Sequence, residues 1–229
     1  METKINQLQK IYWKWRIYYQ NKRILIFNEY CKPKHHYKIL DLGGGDGKRL
    51  VDFLPNYSKD NLYVADIDQK ELLIAKTKGF NTIILDQSGK IPFADKYFDI
   101  IFCNSVIEHV TMDKSDCYTV NSWEEFNKKA LDRQKLFADE IIRCGKSYFV
   151  QTPYRYFPIE SHTWLPFFFI FFGRKTYLKF INFTNKYWIK GTPPDWKLFN
   201  IKEMKSLFYN GKIIKERRLF MVKSLIAVK

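Results

Sequence analysis

A chain of 229 residues, 46% of them hydrophobic, is long enough to bury a full core and reads as one domain with additions. Lysine and arginine outnumber aspartate and glutamate by 39 to 24, a net +15 that suits nucleic acid, anionic lipid or an acidic substrate and selects none of them. Cys31, Cys103, Cys117 and Cys144 show neither C-x-x-C pairing nor histidine spacing, which argues against zinc and for reduced thiols in a cytoplasmic setting, with Cys103 and Cys144 as small core residues. The N-terminus lacks the basic-then-apolar pattern of a signal peptide. The longest apolar block, Leu165-Pro-Phe-Phe-Phe-Ile-Phe-Phe172, falls far short of the ~20 residues needed to span a bilayer.

Residues 4–30 contain no Gly or Pro and keep rough helical spacing through Ile5, Leu8, Ile11, Trp15 and Tyr18, up to a stop at Pro33. Strand signals follow at 37–42, 61–66, 80–85, 97–103 and 146–151, separated by helical stretches at 47–54, 69–78 and 122–143. Apolar strands alternating with helices predict a parallel sheet covered on both faces. After 151, five prolines punctuate an aromatic-rich insertion. A helix near 200–209 then precedes two β-patterned runs, 212–220 and 222–228, joined too tightly for a crossover helix and so expected as an antiparallel hairpin. The chain therefore divides into a basic, aromatic helical extension (1–36), a Rossmann-like core (37–151), a Phe/Pro-rich insertion (152–198) and a helix with hairpin that completes the sheet (199–229).

The first strand breaks into Gly43-Gly-Gly-Asp-Gly47 and leaves as a helix. A strand–glycine turn–helix unit brings bare backbone and a helix N-terminus close to a ligand. Asp41 at the strand end adds a carboxylate, which favours a nucleoside-type ligand with hydroxyls or a cationic group. The turn is not the dinucleotide fingerprint, because Lys48 stands three places after Gly45, and no Gly-Lys-Ser/Thr closes it as a phosphate loop. The second strand ends Val64-Ala-Asp66-Ile-Asp68, where a carboxylate can accept both hydroxyls of a ribose, while Asp68 reads as a cap for the next helix. The third ends in Asp86-Gln87, and the fourth runs Phe98-Asp-Ile-Ile-Phe-Cys-Asn104-Ser105 into Val106-Ile-Glu108-His109-Val110.

In order and spacing over roughly 37–151, this series resembles the class I S-adenosylmethionine-dependent methyltransferases of the type 11/type 12 group. The resemblance implies a doubly wound, seven-stranded, mainly parallel α/β sheet with a C-terminal antiparallel hairpin. It implies that Asp41, Gly43, Gly45 and Gly47 hold the methionyl part of S-adenosylmethionine and that Asp66 binds the ribose. Ile67 would pack on the adenine, Asp86 with Gln87 would face its amine, and Asn104 and Ser105 would line the donor pocket.

Gln151-Thr-Pro-Tyr-Arg-Tyr156-Phe-Pro-Ile-Glu160-Ser-His162 follows the fifth strand, where acceptors enter, and resembles an element of bacterial methyltransferases linked to surface-glycan or lipid pathways. His162 and His109 are the candidate bases, with a His and Glu anchoring a lid as the alternative, and Tyr154, Arg155 and Tyr156 are candidate acceptor contacts. The fourth strand lacks the Pro-Pro-Tyr element that grips an exocyclic amine, and no Cys follows a Pro as in enzymes that methylate pyrimidine carbon. The expected activity is O-methylation of a glycan, lipid-linked or other small acceptor, without a metal. An RNA methyltransferase using the basic surface, or a non-catalytic partner protein of the same fold, are the alternatives. The Phe block with Arg174, Lys175 and Lys179 reads either as an interfacial helix on anionic lipid at the inner membrane face or as cover for the acceptor pocket. The N-terminal helix reads as cover for the sheet.

Overall fold

The computed structural model describes residues 2–86, 89–164, 172–187 and 191–229, with side chains described from residue 17 onward. In chain order the elements are α1 (Glu2–Cys31), β1 (Ile39–Leu42), α2 (Lys48–Phe53), β2 (Leu62–Asp66), α3 (Gln69–Thr77), β3 (Asn81–Ile84) and β4 (Phe98–Asn104). Then come α4 (Lys114–Thr119), α5 (Trp123–Cys144), β5 (Gly145–Pro153), α6 (Arg174–Tyr187), α7 (Ile201–Leu207), β6 (Lys212–Arg218) and β7 (Met221–Val228). The seven strands form one sheet in the order β3-β2-β1-β4-β5-β7-β6. β1 through β5 are parallel, and β7 runs antiparallel between β5 and β6, as the tight final turn predicted.

Both faces of the sheet are covered, which is why its central strands read as continuous apolar runs. Side chains alternate between two cores. Leu40, Leu42, Ile101, Cys103 and Val150 pack with α5 and α7 through Phe137, Ile141 and Leu207. Ile39, Val64, Ile100, Phe102 and Phe149 pack with Phe27 of α1 and Leu50 and Phe53 of α2. Phe27 is fully buried, its ring 5.6–5.7 Å edge-on from Phe53, Phe102 and Phe149. α1 thus covers the sheet with its C-terminal half, as its pattern predicted. All four cysteines are buried free thiols, with Cys103 and Cys144 in the core. Asp68 caps α3, its carboxylate accepting from the amides of Lys70 and Glu71.

Four local elements go beyond the sequence reading: α4, α6 and 3-10 turns at Lys59–Asn61 and Ile107–His109. α4 is only six residues long and carries no apolar period. Most of the Phe block, residues 165–171, lies outside the described residues, as do the side chains of Trp13 and Trp15. Arg174 itself does not face outward. It is buried, donates to the carbonyls of Val120 and Cys117 at the end of α4, and lies 3.6 Å from the Phe126 ring centre. Among the described residues no helix is long and apolar enough to cross a membrane.

Candidate active site

Strand order reverses between β1 and β4, and in open parallel sheets ligands bind outside the carboxyl ends of the strands at such a reversal. A cavity of about 630 Å³ opens there, lined by Gly43, Asp66, Ile67, Asp86, Ser105, His109 and Asp195 among others. That volume lies within the usual range for small-molecule sites.

The glycine turn forms one wall. Gly43 has φ +73°, donates its amide to the Ala65 carbonyl at 2.7 Å, and leaves no room for a side chain: a Cβ would sit 2.5 Å from Val106 Cγ1. Gly47, also at φ +73°, begins α2 and packs against Phe80 instead of lining the cavity. Asp66 ties the turn to β2. Its Oδ2 accepts from the Gly45 amide at 2.8 Å and its Oδ1 from the Asp68 amide at 3.0 Å, and each oxygen keeps a second lone pair for a ligand. Ile67 beside it is 59% exposed, an apolar side chain left open at the cavity wall.

Asp41 lies apart from these groups. It is 2% exposed beneath Gly44, and its Oδ2 has no hydrogen-bond partner. Burial, then the neighbouring Asp66 carboxylate, push its carboxyl up to about 8. A folded-state value raised this far stabilises the fold while the group is protonated. The contribution is fully present below the ordinary carboxyl range near 4 and is lost as pH rises through about 8. Asp41→Asn is therefore expected to match the wild-type melting temperature near pH 4 and exceed it above pH 8. Parallel melting curves across that range would show that Asp41 is not held neutral.

Ser105, at the end of β4, takes φ +58° without being glycine, and its hydroxyl donates to Gln151 Oε1 at 2.8 Å. Asn104 turns from the cavity toward Arg23 of α1, whose Nη1 reaches Asn104 Oδ1 at 3.4 Å and Gln151 Oε1 at 3.2 Å. The same guanidinium pairs with Glu216 of β6 at 2.9 and 2.7 Å. Gln87 lies outside the described residues.

The acceptor side is built around His109 and His162, whose Nε2 atoms stand 3.1 Å apart. His109 Nδ1 bonds Asp195 Oδ1 at 3.1 Å, and His162 Nδ1 bonds Glu160 Oε1 at 2.7 Å. The buried Glu160 is anchored in turn by the backbone amides of His162 and Thr163 and the Thr163 hydroxyl. Burial would raise its carboxyl, but His162 and these donors outweigh it and hold the group below its usual range. For His109, burial acts to lower basicity, yet the Asp195 bond and the Glu108 charge prevail and raise it. Glu108 itself is fully buried, and that burial raises its carboxyl against the pull of the two histidines. The His162 ring stacks on Trp196 at 4.9 Å and 13°.

The two histidines named from sequence therefore meet, joined by Glu108. Tyr154, Arg155 and Tyr156 do not reach the cavity lining. Tyr154 packs on the core, Tyr156 is half exposed against it, and Arg155 is engaged with the Leu198 carbonyl and Glu203. Asp195 is the residue the sequence reading missed. It sits after Pro193-Pro194, where an acid reads as a turn former.

The sheet order, the glycine turn and the acids at β1, β2 and β3 define a Rossmann-like methyltransferase fold. Residues 40–144 match the family model for the methyltransferase domain. Over those residues the chain is similar to class I S-adenosylmethionine-dependent methyltransferases, enzymes for which S-adenosylmethionine is the expected cofactor. It is similar in structure to a candidate methyltransferase of Bacillus halodurans (14% identity, 86% of this chain and 70% of that one, TM-score 0.52). A Pyrococcus horikoshii protein (14%, 89% and 84%, 0.52) and a Methanosarcina mazei S-adenosylmethionine-dependent methyltransferase (16%, 89% and 95%, 0.51) are similar too. At these identities the likeness is one of fold. No curated protein matches the sequence significantly.

Proposed function

We propose that the enzyme methylates a hydroxyl oxygen of a glycan, lipid-linked or other small acceptor. One observation carries the reading: His109 and Asp195 line the same cavity as Gly43, Asp66, Ile67, Asp86 and Ser105. Groups suited to a nucleoside thus share one space with the Asp195-backed His109, and His162 stands 3.1 Å from that ring.

When bound, S-adenosylmethionine supplies a methyl group already activated on a sulfonium. The cavity volume, the closed approach at Gly43 and the open apolar face of Ile67 suit it. Asp66 would accept its ribose hydroxyls, Asp86 its adenine amine, and the Gly43–Gly45 backbone its methionyl end, with Asp41 acting from beneath. Ser105 would border the transferred group. A hydroxyl is too weakly acidic to attack at neutral pH, so it must lose its proton as the new bond forms. The histidine pair is where that proton is handled, and Asp195 and Glu160 fix both rings for the task. What remains for the protein is in-line placement of the oxygen.

Incubation with methyl-labelled S-adenosylmethionine and a panel of lipid-linked saccharides, hydroxylated small molecules and RNA tests this reading. Label in a hydroxyl-bearing acceptor is expected, and label confined to RNA overturns it. With that acceptor, His162→Ala is expected to lower kcat by roughly 10²–10⁴. It should leave S-adenosylmethionine affinity in calorimetry unchanged. A fall in affinity with unchanged kcat would place His162 in donor binding.

A further inference from the structure

The geometry of Glu108, His109 and His162 points to more than a pair of bases. We propose that these three residues bind one divalent transition-metal ion, of the zinc class, at the acceptor side of the cavity. The argument begins with hydrogens. A carboxylate ion only accepts hydrogen bonds, so the Nδ1 atoms facing Asp195 and Glu160 carry the ring hydrogens. In neutral rings both Nε2 atoms then hold lone pairs, and these face each other at 3.1 Å. Lone pair against lone pair is repulsive, so a positive centre belongs between them: a proton carried by one ring, which makes the contact a hydrogen bond, or a metal ion held by both.

The distance suits a metal. Two ligand atoms at zinc–nitrogen bond length around a tetrahedral ion stand ~3.3 Å apart. The 3.1 Å separation is close to that edge. The rings lie at 84° to each other, and stacking on Trp196 fixes one of them. A carboxylate on the far nitrogen of a ligating histidine is the usual support for such a ligand, because it sets the tautomer and strengthens the donor.

Glu108 is the second, independent observation. Its side chain is fully buried, Oε2 accepts from Thr152 Oγ1 at 3.0 Å, and Oε1 has no hydrogen-bond partner. A buried carboxylate oxygen left unpaired costs desolvation energy that a cation would offset. Ligand atoms of all three residues lie within 4.8 Å of one another, and binding would draw the Glu108 oxygen in toward the two nitrogens. Two imidazoles favour a transition ion over magnesium or calcium. Two histidines and a glutamate leave one position of a tetrahedron open, and His109 lines the cavity.

This deepens the proposed function and, for its chemical role only, rests on it. The open position would take the acceptor hydroxyl oxygen. With metal bound, the two histidines would act as ligands in place of bases: the oxygen would lose its proton to solvent water, its C–O bond to the methyl would form as the S–C bond breaks, and the thioether would leave neutral.

Chelator-stripped, untagged full-length protein titrated with ZnCl₂ in a calorimeter tests the site, with visible absorption during Co²⁺ titration as a second readout. One equivalent is expected to bind, with affinity reduced at least ~100-fold in His109→Ala and His162→Ala. Asp195→Asn, which removes support alone, should weaken it by roughly 10–100-fold. His35→Ala/His36→Ala, which alters the other two histidines, should bind zinc as wild type does. Absence of a one-equivalent site, or binding indifferent to His109 and His162, overturns the proposal. S-adenosylmethionine titration of each sample reports folding and donor binding separately. Failure of the metal site is thereby distinct from failure of the methyltransferase reading.

Discussion

Asp66→Ala is expected to weaken S-adenosylmethionine binding by ~100-fold, a loss of about 2.7 kcal/mol. Two effects add. The ribose hydroxyls lose an ionised acceptor, and hydrogen bonds to charged groups are worth about 1.5–3 kcal/mol. The glycine turn also loses its tether, because Asp66 holds the amides of Gly45 and Asp68. Asp66→Asn keeps one carbonyl acceptor and removes the charge, so its affinity should fall between alanine and wild type. Titration calorimetry at fixed salt measures both variants. An unchanged Kd in the alanine variant would place the ribose elsewhere along the sheet edge.

The second large effect lies on the other half of that edge. Arg23→Ala is expected to destabilise the fold by about 3–5 kcal/mol, because it strands a buried charge. Glu216 has a fully buried side chain; burial would raise its carboxyl, but Arg23, with Lys223 and Ser224, outweighs it and holds the group below the usual range. A depressed carboxyl stabilises the fold above the usual carboxyl range, and that contribution is lost as pH falls through the folded value. Denaturant unfolding at pH 7 should therefore show a large loss that shrinks in acid. Pairing the change with Glu216→Gln should recover part of it, since an apolar or neutral partner set can replace a buried ion pair at little cost. If the single and double variants lose equal stability, the ion pair is not what holds α1 down.

Much of this was legible in the sequence where the signal is local. Five strands, the final hairpin and the cap at Asp68 each follow from period, glycine or a short polar residue at a boundary. The acids were legible for the same reason, since each stands at the end of its own strand, and Asp66 and Asp86 line the cavity. The acceptor half was only half visible. His109 and His162 could be named, but their meeting depends on a 53-residue separation closed by the fold. Asp195, 86 residues from the histidine it holds, gives no local sign of that role. Arg23 looked like one more cation on a basic helix, and its buried partner stands 193 residues away.

That separation has a kinetic side. The helix that seals one face of the sheet is made early, yet its ion-pair partner on β6 is made late. Contacts between such distant segments must close a large loop before they reward it, which slows folding. During synthesis, Phe27 would stay uncovered until β5 emerges, and Arg23 would lack its partner until β6 does. Over that interval the exposed apolar face is open to association.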